Sequence, residues 1–242
     1  MSLPALTGWI DAYIRGRLFG QEFDPLINEN WRALLLDDVA HHIASAFASA
    51  LIEGEANQEV AEAEVRYRYV SEVAHITVRA SSAVEITKSI YPKLPIAVRA
   101  GGLERTFIEW ADQDTQVEAF TKINEYKHGF LQQRYLKADG MPAMYSPDFL
   151  LRTAENIYVV ETKAEKDLTN ENVQRKRRAA RAWCDRINTL SPELRENRTW
   201  SYVLLGEEAV KQWRARSARI TELLDYARVT SNTEVSVQER LL

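Results

Sequence analysis

The sequence predicts an α/β protein, with a mixed sheet flanked by helices and a smaller α+β region in front of it. Three observations predict this. After residue 100 the patterns run helix, strands, helix, strand, helix. Two short apolar runs, 148–152 and 157–163, are rich in β-branched and aromatic residues and are separated by Thr153-Ala154-Glu155-Asn156, a polar tetrad suited to a hairpin. Before residue 100, helical spacing gives way to strand-like alternation.

In chain order, Leu6, Trp9, Ile10, Tyr13, Ile14 and Leu18 keep helical spacing. A second helical pattern runs from Trp31 to about residue 51 through Leu35, Val39, Ile43 and Phe47, with Asn28 or Asn30 as its cap. His41 and His42 are adjacent, so they leave a helix on different sides; with no second ligand pair at metal spacing they read as structural or surface residues. From Val65 the runs 65–72, 73–79 and 83–87, separated by serines, predict a small antiparallel sheet. Two prolines and a glycine pair then break the regularity, which puts a boundary at roughly residues 89–101. The expected organisation is an accessory region over 1–100, a main domain over 101–230 and a polar tail over 231–242.

Leu103, Phe107 and Trp110 form the apolar stripe of a helix that carries Glu104. Strand-like stretches at 120–126 and 134–137 lead to the hairpin, and a helix follows from about 169 to 189. A strand at 201–205 ends at Gly206, and helical patterns fill 207–227 before the tail, which has no clear core face.

Composition narrows the function classes. The 242 residues are 45% hydrophobic, enough for one large domain or two small ones. No apolar run reaches the roughly 18 residues of a membrane span, and no signal-like pattern opens the chain, so neither membrane insertion nor secretion is expected. The single Cys184 fits a reducing, cytoplasmic setting and reads as a buried, inert thiol. A formal net charge of −4 argues against a chain that coats nucleic acid non-specifically. Its basic residues are instead concentrated. Arg175, Lys176, Arg177, Arg178, Arg181 and Arg186 crowd one helix, with no acidic residue between Arg175 and Arg181; Lys211, Arg214, Arg216 and Arg219 crowd another. The first cluster points to a polyanion, the second equally to a solvated face. GxxxxGK[ST], GxSxG, HExxH and paired-Cys motifs are all missing, which lowers ATPase-motor, serine-hydrolase and zinc readings.

The chemistry gathers around residues 145–168. Along a strand through 157–163, Val159, Glu161 and Lys163 share one face while Tyr158, Val160 and Thr162 share the other. A strand that begins as core and ends in two opposite charges is locally inconsistent, as functional sites often are. Asp148, on the neighbouring hairpin strand, brings a second carboxylate to the same sheet end. Two carboxylates and a backbone carbonyl are hard oxygen ligands of the kind Mg²⁺ takes, leaving waters for a phosphate and a nucleophile. A nearby lysine orients or helps deprotonate the attacking water.

Pro147-Asp148 followed by Glu161-Thr162-Lys163 resembles the signature of the PD-(D/E)XK nuclease superfamily. The surrounding stretches, GGLERTFIEWAD from Gly101, KINEY from Lys122, NVQRKRRAARAWCDRIN from Asn172 and WSYVLLGE from Trp200, resemble the C-terminal nuclease domain of type III-like restriction enzymes. The likeness covers roughly residues 100–228 and implies a restriction-endonuclease-like core. It implies Asp148 and Glu161 as metal ligands and catalytic carboxylates, Lys163 as the catalytic lysine, Glu104 as a further helix-borne ligand, and Gln174 as a polar contact to nucleic acid beside Arg175, Arg178 and Arg181. The implied function is Mg²⁺-dependent DNA endonuclease, with Mn²⁺ able to substitute. The implied partners are DNA, a helicase motor in the same parent chain or on a separate subunit, and a methyltransferase or specificity subunit.

Two alternatives stand beside this. Glu125-Tyr126-Lys127 also has a carboxylate two residues before a lysine, but no Pro-Asp precedes it at a hairpin's length. Glu161 and Lys163 could form only a strand-end ion pair, in a non-catalytic module that binds DNA or docks a helicase.

Overall fold

The structure, a computed structural model, describes residues 3–56, 65–96 and 102–238. Its elements in chain order are α1 (Leu3–Gly16), α2 (Asp37–Ala56), β1 (Ala83–Glu85), β2 (Lys93–Pro95), α3 (Leu103–Gln113), β3 (Ala119–Lys122), β4 (Gln133–Leu136), β5 (Pro142–Tyr145), β6 (Phe149–Arg152), β7 (Asn156–Lys163), α4 (Glu171–Asn188), β8 (Thr199–Gly206), α5 (Glu207–Ala215) and α6 (Ile220–Gln238). They divide into two compact units, one of residues 1–58 with 135–143, the other of 59–134 with 144–242.

In the first unit the expected second helix is interrupted. Residues Asn30–Leu35 form a 3-10 helix, Leu36 is extended, and α2 starts only at Asp37. Asn28 and Asn30 therefore do not cap it: Asn28 takes a left-handed conformation, and the Asn30 amide donates to the Asp24 carbonyl. His42 meets the Tyr13 hydroxyl at 3.1 Å and His41 meets the Asp139 carbonyl, so both histidines have protein partners. Gly140, at φ +79°, lies where a Cβ would collide with Ser45.

The second unit is built on a four-stranded mixed sheet in the order β3-β6-β7-β8, antiparallel except for the parallel pair β7–β8. The hairpin β6–β7 forms as expected, its turn closed by Thr153 N–H to the Asn156 carbonyl and Asn156 N–H to Thr153 Oγ1. Parallel pairing of β7 with β8 requires a crossover, and α4 supplies it. Asn170 caps α4 by accepting from the N–H groups of Asn172 and Val173. Its far end is tied down by Asn188, whose amide both donates to and accepts from the Trp200 backbone at 2.8 Å.

Helices cover both faces. Tyr158, Val160, Val203 and Leu205 pack with Phe107, Ile108, Ile220, Leu223 and Leu224 in one core, which brings α3, α5 and α6 to that face. The other face receives α4 through the buried Val173, Ala180 and Cys184. Burial on both faces explains why β7 and β8 read as continuous apolar runs. It also pushes the Cys184 thiol up to about 12, an inert group.

The expected three-stranded sheet over 65–87 does not form. Only Ala83–Glu85 becomes a strand, and it pairs with Lys93–Pro95, inside the stretch expected to be a boundary. Val70–Glu72 is a 3-10 turn, and 73–79 is irregular. β-Branched and aromatic residues favour a strand only where a partner strand offers hydrogen bonds, and among the described residues none pairs with them. Residues 65–96 thus belong to the compact unit that holds the main sheet. The polar tail is helical as far as Gln238. Residues 97–101 of the expected boundary and 239–242 of the tail lie outside the described residues. Among the described residues no helix is long and apolar enough to cross a membrane.

Candidate active site

Strand β6 stops at Phe149 because Pro147 offers no N–H to continue the ladder. The next residue outward, Asp148, takes over with its side chain. Its Oδ2 accepts the backbone N–H of Thr162 at 2.8 Å and the Thr162 hydroxyl at 2.8 Å. Its own N–H donates to the Val160 carbonyl, and its carbonyl accepts the Ile123 N–H. The β6–β7 register, extended one step past Phe149 and Val160, sets Asp148 opposite Glu161.

Glu161 is only 3% exposed. Its Oε2 accepts the Tyr145 hydroxyl at 2.9 Å, and its Oε1 pairs with the Lys163 ammonium. Burial raises the carboxyl to about 7, and the negative charge of Asp148 adds to this; Lys163 and Tyr145 pull the other way. Burial opposes the charged form of Lys163, yet Glu161, Asp148 and Glu104 together hold its pKa above the ordinary lysine value. The sequence-predicted trio therefore converges on one sheet end: a buried Glu161, a partly exposed Asp148 whose charge opposes the ionisation of Glu161, and an ammonium paired with Glu161.

Glu104 stands in the first turn of α3, where the helix N-terminus favours a carboxylate. Its Oε2 lies 2.6 Å from the Lys122 ammonium, and both side chains are mostly buried. Glu104 acts on Lys163 through its charge, while its direct partner is Lys122. Among the described residues, no three Asp, Glu, His or Cys side chains are grouped to hold a metal ion. The donor set does fit a less demanding site. Mg²⁺ is held by one or two carboxylates and fills its remaining positions with water and substrate oxygens. A carboxylate whose pKa is raised by burial, and further by a neighbouring carboxylate, is relieved by just such a cation.

Side chains on α4 are not equivalent. Lys176 lies 5.5 Å from the centre of the Tyr145 ring, so the helix meets the site through a residue that touches the Glu161 partner. Arg175 is paired with Glu171 at 2.8 Å, and Arg178 is exposed. Arg181 lines a separate cavity of about 230 Å³ with Trp200, Ser201 and Arg228, at the opposite end of β8. Gln174 donates to the Leu168 carbonyl at 2.6 Å and accepts from Arg177, so it braces the entry to α4. In the second basic cluster, Lys211 pairs with Glu207 and Arg219 with Glu222, as on a solvated face.

Tyr145, Thr162, Lys122 and Tyr202 complete the arrangement without having been singled out in the sequence. Tyr202, buried beside Tyr145 and Glu161, has its phenol held well above the ordinary value by burial and by the charges of Glu161 and Asp148, and its hydroxyl makes no hydrogen bond of regular geometry. No spacing rule finds such residues, because cross-strand placement brings them in. At the same end of the strand pair, where Gly206 stands opposite Lys163, a Cβ on Gly206 would lie 2.7 Å from Leu168 and 2.8 Å from Glu165 Oε2, which instead accepts the Glu208 N–H. Searches of protein-family models, curated proteins and solved structures find no match to this chain.

Proposed function

We propose that this chain carries a Mg²⁺-dependent endodeoxyribonuclease site, the nuclease part of a type III-like restriction or defence enzyme. The observation that supports it most is the meeting of Asp148, Glu161 and Lys163 at one sheet end, with Glu161 buried beside Asp148. In this reading Asp148 and Glu161 hold the ion, and Glu104 joins them only by leaving Lys122. The ion, when bound, supplies Lewis-acid stabilisation of charge on the phosphoryl oxygens and makes a bound water more acidic.

The protein's own groups do the rest. Thr162 fixes the direction of the Asp148 carboxylate through two hydrogen bonds. Tyr145 fixes Oε2 of Glu161 and stabilises its ionised form. Lys163, held by Glu161, presents an ammonium that orients the attacking water and stabilises the charge developing on it. Lys176 and Arg178 receive backbone phosphates flanking the scissile bond. Unwinding and sequence recognition fall to a helicase motor, in the same parent chain or on a separate subunit, and to a specificity subunit.

The test is plasmid cleavage with Mg²⁺ and with EDTA, comparing the parent with Asp148→Ala and Glu161→Ala. Nicking or linearisation by the parent alone, and only with metal, is the expected result. Equal cutting by either variant overturns the assignment. A second reading, a non-catalytic module of the same fold, is favoured by one feature: Asp148 Oδ2 is already engaged in extending the sheet ladder. Metal-independent DNA binding without cleavage by the parent would select it.

A further inference from the structure

Beside the carboxylates lies a groove of about 280 Å³, lined by Ile76, Pro95, Ile123, Tyr126, Pro147 and Asp148, among others. Tyr126 at its rim is 86% exposed. Such a ring usually belongs to a fraying loop, but this loop is pinned. Asn124 Oδ1 accepts the N–H groups of both Tyr126 and Lys127, and the Asn124 carbonyl accepts those of Lys127 and His128. The Asn124 N–H donates to Nδ1 of the buried His128, whose Nε2 meets the Tyr91 hydroxyl at 3.0 Å. Gln132 Nε2 holds the Glu125 carbonyl, and the Ile123 N–H is bonded to the Asp148 carbonyl. The chain thus fixes an aromatic ring in water, three residues from a direct backbone bond to a candidate metal ligand.

The groove's chemistry says which part of a nucleotide it takes. Its walls are proline, isoleucine and tyrosine, its lysine, Lys122, is neutralised by Glu104, and it carries the carboxylates of Glu125 and Asp148. That surface repels a phosphate and accepts a neutral, flat, partly apolar group. On the basis of the nuclease reading above, we propose that Tyr126 stacks on an unpaired nucleobase, and that the substrate class is single-stranded or locally unwound DNA. In an intact duplex every base face is covered by its neighbours, so the ring gains a partner only where the strand is open. The backbone of that strand then runs on the α4 side, where Lys176 lies against the Tyr145 ring and Arg178 is exposed.

The test measures binding, independently of cleavage, on the full chain by fluorescence anisotropy. The probes are labelled oligothymidylate and a duplex of equal length, with the parent, Tyr126→Ala and Tyr126→Phe. The expected result is a loss of about ten-fold or more in single-strand affinity for Tyr126→Ala. Duplex affinity and thermal unfolding stay unchanged, and Tyr126→Phe binds as the parent does. Equal single-strand affinity for Tyr126→Ala and parent overturns the proposal, as does an equal loss on both probes. If the parent cleaves plasmid while Tyr126→Ala binds single strands normally, stacking alone is wrong. If single-strand binding depends on the Tyr126 ring but no metal supports cleavage, the nuclease reading is wrong and the base site stands. A parent that binds neither probe overturns both.

Discussion

Asp148 Oδ2 accepts the backbone N–H of Thr162, the residue between Glu161 and Lys163, at 2.8 Å. One candidate ligand is thereby locked to the strand that carries the other two site residues, so their spacing is set by main-chain geometry rather than by side-chain rotamers. Asp148→Asn keeps an oxygen acceptor for Thr162 but loses the charge; Asp148→Ala loses both. Both variants should abolish Mg²⁺-dependent cleavage. Only Asp148→Ala should also lower unfolding stability, by about 1–3 kcal/mol, for the two donors left without an acceptor. Chemical denaturation of the two variants side by side checks this.

Lys163 separates catalyst from binder. Lys163→Ala should reduce single-turnover cleavage by about 10²–10⁴-fold while leaving DNA affinity largely intact, since in the proposed site the ammonium acts on the attacking water. Cleavage at the parental rate would reduce Lys163 to an ion-pair partner of Glu161.

The pH dependence follows from Glu161. Its carboxyl stays protonated up to about 7 in the folded chain, against 4.5 ordinarily. Between these values the folded state holds a proton that the unfolded state has released, so stability falls as pH rises through the interval and levels off above it. The total is on the order of 3 kcal/mol at most. Glu161→Gln should flatten this slope in denaturation at about pH 5 and about pH 8. Stabilisation by Mg²⁺ has the opposite trend, because the ion needs the ionised carboxylate: the rise in Tm on adding Mg²⁺ should be larger at the higher pH. Tyr145→Phe, which removes a hydrogen bond to the ionised form, should move the midpoint upward.

Along α4, the residues at the site end should matter most for phosphate contact. Replacing Lys176 and Arg178 together should lower the slope of log affinity against log salt by about 2 for duplex DNA, uniformly across sequences. Arg181→Ala, which alters a cavity at the opposite end of β8, should change cleavage little. Competitive binding over a salt series distinguishes the two.

The hairpin, α3, α4 and β8 were legible because their periodicity and end signals agree. Their partner-dependent details were not. Residues 73–79 have the composition of a strand and lack a neighbour to pair with, while 228–238 lack an apolar stripe and yet continue α6, because no glycine or proline stops a helix already docked by Ile220, Leu223 and Leu224. The helical period through Trp31 and Leu35 runs across Leu36 without a break in pattern, so the extended residue there was invisible. At the candidate site, Pro147-Asp148 and Glu161-Thr162-Lys163 come together at the end of β6 and β7. In the sequence Thr162 has only a place on the strand face with Tyr158 and Val160, and Tyr145 carries no motif. Their roles depend on where β6 ends relative to β7, which is a property of register.

The last two helices give no side chain to the candidate site, yet they cover the face of the sheet opposite α4. A chain still emerging from the ribosome has all the site residues once Gly206 is out. At that moment Tyr158, Val160, Val203 and Leu205 have no cover from Val210, Ile220, Leu223 and Leu224. At that stage the sheet is sticky before the fold around the candidate site is complete. Until α5 and α6 have been made and docked, a chaperone, or a second unfinished copy, competes for that bare face.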